Sequence, residues 1–324
     1  NLSTAQVDAL STAQLTSLST GQIDSLTAAV ITSLATDKVA ALTSSAIAGL
    51  TGAQITALTT AQVKGLTTAQ LVALTTEQVS ALGTAVVSAL TTAQIAAVAT
   101  DDFVALSTDA VAALTTAQVK SLTTSQIVAL TENQAGVLTT AQVKALSTTQ
   151  MAVFETADLA KLSTAHIQAL SAGAIASLTV DQFKTLNTEQ LNALTTAQVK
   201  TLTTAQLVAL TTVQAEGLTS SVVSALTTAH VAALATDDFA ALTTDAVAAL
   251  TAVQVKALTT AQVVALSEDQ VGAFTTAQVK VLTTEQLAVF ETADLAKLSS
   301  THIQALSTAG IASLTADQFK TLST

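Results

Sequence analysis

One apolar position recurs every eight residues, from Leu2 through Leu10, Leu18 and Leu26 to Leu322, and its register never slips. Of the 41 such positions only Val98, Phe154, Phe274 and Phe290 are not Leu, and all four stay apolar. Five residues after each comes a second apolar position, as in Val7, Leu15, Ile23, Ile31, Val119 and Phe183, with Ala135 and Ala215 its smallest members. The consensus reads Leu-Thr-Thr-Ala-Gln-Val-x-Ala. A continuous α-helix cannot use this pattern, because eight residues carry an apolar stripe about 80° around the axis per repeat. A strand fails too, since spacings of five and three put the two positions on opposite faces.

The chain must therefore break once per octad, and the consensus contains the break. A Thr or Ser follows the Leu, with Gln, Glu, Asp or His three residues later, which is the capping-box pattern of a helix start. In Thr59-Thr60-Ala61-Gln62, the Thr59 hydroxyl accepts from the third helical amide and the Gln62 side chain reaches back to the amide of Thr59. Leu58 and Val63 occupy the two ends of a hydrophobic staple. The expected fold is all-α: a solenoid or superhelical rod of very short helices, six or seven residues each, one per octapeptide. Isolated helices this short do not survive in water, so they must stack. The small residues just before each Leu, such as Ala9, Ser17, Ser25, Gly49, Ala57 and Gly65, supply the close-approach surface.

A longer period overlies the octad. Ala-Thr-Asp-Asp-Phe at 99–103 returns at 235–239, and Phe-Glu-Thr-Ala-Asp-Leu at 154–159 returns at 290–295, both displaced by the same seventeen octads. Residues 53–188 and 189–324 thus read as duplicated blocks in a single continuous array over 1–324. Seventeen is an odd number, which would invert any alternation of two helix types between the copies. All octads are therefore expected to be equivalent along one screw path. Taking two octads per layer, the array would span very roughly 180 Å at ordinary helix packing distances. Starting at Asn1 in mid-repeat and stopping at Thr324 just after a new octad begins, the chain reads as part of something longer.

Composition narrows the function. Half the residues are hydrophobic, but only 2% are aromatic and 10% charged, and the formal net charge is −11. The 11 basic residues are all Lys and are scattered, which argues against nucleic acid and against an electrostatic membrane anchor. No stretch approaches eighteen apolar residues, so no membrane-inserted span is expected. With no Cys there is neither a disulfide framework nor a thiolate nucleophile.

Candidate chemistry is sparse. His166, His230 and His302 all stand where Gln usually completes the capping box and read as substitutes for it. The acidic groups Asp101, Asp102 and Asp109, and Asp237, Asp238 and Asp245, place carboxylates about an octad apart and are weak calcium candidates. Acids in the first helical turn also suit its dipole, and Asp102 and Asp238 stand in for the box Gln. Ser and Thr abound, but no His lies near a distinctive Ser or Asp constellation, so neither catalysis nor a cofactor is expected. Phe103, Phe183, Phe239 and Phe319 replace Val, and Phe154, Phe274 and Phe290 replace Leu, all as core residues. The residue after the Val varies most, and Val72, Val104, Val128, Val208 and Val264 there would form a sparse exposed stripe.

The octad opening Leu-Thr-Thr-Glu-Gln-Val at 74–79 resembles the first helix of the repeats in transcription-activator-like DNA-binding proteins, but the long second helix, the base-reading loop and the basic character are missing. The whole chain, Thr- and Ala-rich, acidic and free of Arg, Cys and Trp, resembles the repeat regions of large bacterial surface and secreted proteins. That resemblance implies a stalk, adhesin shaft or extracellular fibre. The expected role is an extracellular or cell-surface spacer, partnered by itself, in filaments or lateral association, or by other surface proteins. Two alternatives are a protein-binding solenoid and binding of a regular surface such as ice through the second Thr of each octad, as in Thr60, Thr68 and Thr76.

Overall fold

The computed structural model describes residues 3–322. Leu2, the first residue of the apolar register, and the ends at Asn1 and Thr324 lie outside the described residues. Among those described there are forty α-helices and no strand, one helix per octad, numbered from α1 (Thr4–Asp8) to α40 (Ala316–Thr321).

Most octads close as their capping pattern requires, whereas those opening on Ala35, Gly83, Ala99 and Ala235 have no side-chain cap. At α8 (Thr60–Gly65) the Thr59 cap is extended, with φ −73° and ψ 158°, and Leu66 at the other end is extended with φ −62° and ψ 138°. With the Leu and the cap both extended, the helices run five or six residues, and four in α35 (Thr276–Val279). They are thus slightly shorter than the six or seven expected. Among the described residues none has a positive φ and none is joined by a cis peptide bond. The chain turns through ordinary extended backbone, so it needs neither a left-handed glycine nor a proline at its bends.

The helices stack with a fixed stride. Helix α5 (Thr36–Ala41) packs on α8, α12 (Thr92–Ala97) on α15 (Thr116–Ser121), and α22 (Ala172–Ala176) on α25 (Thr196–Thr201), each against the third helix along. The stride is the same whether the first helix is odd or even, so the octads are equivalent. A layer of this helical solenoid therefore takes more than the two octads taken above. The chain divides into two compact units, Asn1–Leu162 and Ser163–Thr324, each with this stacking.

What fixes the stride is the box glutamine. In α18 (Thr140–Ala145) the Thr139 amide donates to Gln142 Oε1 at 2.7 Å, and the Gln142 amide donates to Thr139 Oγ1 at 3.2 Å. The Gln142 Nε2 group then donates to the carbonyls of Val111, at 2.9 Å, and Leu114, at 2.8 Å, one layer earlier. In the second unit Gln262 repeats all four bonds, its Nε2 reaching Val231 at 2.7 Å and Leu234 at 3.0 Å. The accepting carbonyls lie 31 and 28 residues back, at the C-terminal end of the fourth helix before. In a helix this short such carbonyls find no regular partner one turn further on, and the one on Val111 otherwise takes a tight-turn bond from the Leu114 amide at 3.2 Å. One glutamine thus caps the start of its own helix and the end of another.

Around this seam the core forms two rows. The residue at the Val position is almost fully buried, as with Val111, Ile127 and Val247 at 0%, and the octad Leu lies only slightly nearer the surface. Six of the seven Phe are buried, but Phe319 is 57% exposed, contrary to its expected core place. Val7, in the first helix, is already 0% exposed, so a Val-position side chain is covered by the octads that follow it. Phe319 sits in the last helix, α40, and lacks that cover. The small residues before each Leu pack against an earlier octad, as where the Ser121 hydroxyl donates to the Thr92 carbonyl and the Thr201 hydroxyl to that of Ala172. Gly65 and Gly217 take this approach furthest, since a Cβ there would lie 2.4 Å from Cγ2 of Thr36 and Thr188.

The two jobs of the glutamine can be separated. Gln142→Leu, which strips its bonds from two buried carbonyls and a cap amide, is expected to cost about 3 kcal/mol. Gln14→Leu removes only the bonds that Gln14 Oε1 accepts from the Ser11 amide, at 2.9 Å, and the Ser11 hydroxyl, at 3.1 Å, on an exposed site, and is expected to cost about 1 kcal/mol. Denaturant unfolding with hydrogen exchange of the flanking amides measures both; equal losses would assign the stability to capping alone.

Candidate functional site

Every residue type singled out as chemical occupies the glutamine seat or the turn beside it, so the candidate site is a set of variations on the clamp. The three histidines complete capping boxes as expected, with Nδ1 accepting from the amides of Ser163 at 3.2 Å, Thr227 at 3.3 Å and Ser299 at 3.3 Å. They stand on three separate helices, α21 (Thr164–Ala169), α29 (Thr228–Ala233) and α38 (Ser300–Ala305). His230 is buried and its ring also bonds the backbone of Leu202, the octad Leu that the glutamine register assigns to this seat. It keeps the cap and one of the glutamine's two carbonyl bonds: Nδ1 accepts from the cap amide, so the single proton sits on Nε2 and is donated to the Leu202 carbonyl. Burial lowers the pKa of His230 below 6.5, only partly offset by the Leu202 bond.

The six weak calcium candidates are dispersed. Asp101, Asp109, Asp237 and Asp245 lie in the first turns of their helices, all four exposed. Asp102 accepts a 2.7 Å hydrogen bond from the Thr76 hydroxyl, and Asp238 a 3.1 Å bond from that of Thr212, each 26 residues back. Burial raises the Asp238 carboxyl above its ordinary range, and the Thr212 hydroxyl lowers it. Among the described residues no group of three or more His, Cys, Asp or Glu is placed to hold a metal ion. Thr60, Thr68 and Thr76 are all exposed, but the Thr76 hydroxyl is turned to Asp102 and so differs from a free threonine ladder.

Two further seats escaped the sequence reading. Asp158 and Asp294 occupy the glutamine position and are 1% and 5% exposed. Asp294 accepts from the Glu291 amide at 3.3 Å, as in a box, whereas Oδ2 of Asp158 is buried with no hydrogen-bond partner. Their place in the repeat was plain; their burial was not, because it comes from a layer distant in sequence.

Elsewhere the surface is sparse. Val72, Val128, Val208 and Val264 are 42–58% exposed, as the variable position predicted, and Val104 is 37% exposed. A shallow, mostly apolar depression beside Val128 is lined by Thr100, Thr124, Ser125, Ala129 and Val153. An internal gap in the second unit, walled by Phe183, Leu191, Leu207 and Leu226 among others, has no polar lining to orient a ligand. No described helix is long and apolar enough to cross a membrane.

Against known families, the ALTTAQ repeat model matches residues 31–68, 52–84, 65–100, 95–132, 151–188, 231–268, 254–284 and 287–324, together more than half of the chain. The chain belongs to the ALTTAQ repeat family. No curated protein matches it. The structure gives the physical content of this ALTTAQ unit. Its second Thr opens the helix, its Gln clamps two helices, and its Leu is the extended hinge, as in Leu66-Thr67-Thr68-Ala69-Gln70.

The histidine version of the clamp is sensitive to acid. Protonating Nδ1 of His230 would set a donor against the Thr227 amide, which is already a donor, and would place a charge in an apolar layer. Because the folded pKa lies below 6.5, this contribution is complete above that pH and lost as pH falls below it. His230→Gln is expected to remove the acid-side loss, measured as hydrogen-exchange protection of α29 between pH 5 and pH 7.5 (about two pH units straddling the ordinary histidine pKa). An unchanged profile would dissociate His230 from the clamp.

Proposed function

We propose that this ALTTAQ repeat chain is a non-catalytic structural segment: an extracellular or cell-surface spacer, stalk or fibre-forming element that associates with itself or with other surface proteins. One observation carries the reading. The clamp returns at the same offset of 28 residues in both units, as in Gln142 to Leu114 and Gln262 to Leu234. Each layer offers the carbonyls that the next layer's glutamines require, so octads can be added without new chemistry. Such a chain converts sequence length into physical extent, as repeat proteins with only neighbour contacts do. Low charge and dispersed polar groups fit a shaft better than a ligand-binding centre. The apolar depression beside Val128 favours a second reading, a scaffold that docks a protein partner there.

Imaging of the purified chain beside versions shortened by whole multiples of seven octads, about two layers each, tests the spacer reading. Elongated particles whose length falls in proportion to the octads removed are expected. Compact particles of unchanged proportions would overturn it.

A further inference from the structure

Asp158 is a donor's seat filled by an acceptor. At the glutamine position the clamp sends its amide hydrogens to two carbonyls one layer back, as Gln150 does to Val119 at 2.9 Å and Leu122 at 2.9 Å. The same register assigns Asp158 the carbonyls of Leu130 and Ile127, on α16 (Thr124–Val128) and at the hinge that follows it. An ionised carboxylate has nothing to donate, and its Oδ2 is buried without a partner. Its charged neighbours add no donor. Glu155 stands just before the same helix, α20 (Thr156–Ala160), without a side-chain cap bond, and Glu132 heads α17 (Glu132–Gly136), which packs on α20. Lys161 is engaged by Glu132 at 3.0 Å. Two acids and an occupied lysine favour neutralising this group, and Oδ2 is too enclosed for a hydrated ion.

We propose that Asp158 is a proton-operated clamp: in its carboxylic acid form it donates to the backbone carbonyl one layer back, as glutamine does elsewhere, and on losing the proton it releases that layer contact. Uptake of one proton turns the carboxylate into a neutral acid whose O–H forms the missing bond, and no other group changes. Burial, with Glu155 and Glu132 adding to it, pushes the Asp158 carboxyl up to about 6, so the change falls in a mildly acidic range. Because the folded pKa exceeds the ordinary 3.8, the contribution is full at low pH and is lost as pH rises through about 6. This is opposite in sign to His230, so the chain holds one kind of layer contact that acid tightens and another that acid loosens.

The second copy of the motif behaves in the same direction. Burial raises Asp294 as well, and the charged groups on the helices packed against it are Glu268 and Asp269 on α34 (Glu268–Gly272) and Asp317 and Lys320 on α40. Lys297 is held by Glu268 at 3.0 Å and Lys320 by Asp317 at 3.1 Å, so neither is free to neutralise it. Glu291, beside its own cap, adds a further negative charge. The Glu291 amide gives Asp294 a partner that Oδ2 of Asp158 lacks, so the first copy is the more sensitive.

Hydrogen exchange of the α20 amides in the full chain tests this, with α12 of the same unit as internal reference and Asp158→Asn and Asp158→Gln as permanent neutral donors. Wild-type protection of α20 is expected to be about tenfold greater at pH 5 than at pH 7, relative to the reference, as a shift of about two pKa units requires. Both variants are expected to abolish that difference while keeping the wild-type protection of α12. Identical pH profiles in wild type and variants would overturn the proposal. So would a carboxyl-carbon titration of Asp158 with the midpoint of an exposed aspartate.

Discussion

The structure depends on one side chain meeting two unfinished helix ends at once. A helix of five or six residues has almost no internal hydrogen bonds, since its first amides and last carbonyls outnumber the bonds between them. The box glutamine resolves this with three polar positions: Oε1 takes a cap amide, and the two hydrogens of Nε2 take carbonyls of an earlier layer. Gln142 and Gln262 are each only 1% exposed, so these bonds are made away from water, where leaving any unmade is costly. The amide is the natural group for the seat because it accepts on one atom and donates on its neighbour.

From that clamp the rest of the architecture follows. The constant reach from each glutamine to the octad Leu one layer back fixes which helices stack, and this decides which octad position meets which. The residue before the Leu is pressed against an earlier octad, so it is mostly small, and Gly65 and Gly217 appear where the approach to Thr36 and Thr188 is tightest. The Val position faces the layers that follow and is sealed. Where Phe103, Phe183 or Phe239 fills that place, the second glutamine bond moves one residue on, to Val104, Lys184 or Ala240. The clamp thus absorbs a larger side chain without changing its stride.

Variation in the seat is where chemistry enters an otherwise uniform chain. Glutamine is neutral at every ordinary pH, His230 must stay neutral to imitate it, and Asp158 can imitate it only when protonated. The same position therefore yields layer contacts that ignore, resist or require a proton.

Much of this was readable from the sequence, and the limit has a physical cause. The octad register, the hinge at each Leu, the capping box and the buried Val and Leu rows are local, set by side chains within a few residues of the backbone groups they satisfy. The histidines could be placed in their boxes for that reason, and the exposed valines could be recognised at Val72 and Val128. The number of octads in a layer could not, because it depends on where the second end of each glutamine lands, and neither Leu114 nor Val111 carries a signal that marks it as the acceptor for Gln142. Backbone carbonyls are the same at every residue. Only the packed layers decide which of them a side chain reaches, and with that, which acids are buried, like Asp158, and which, like Asp101, remain in water.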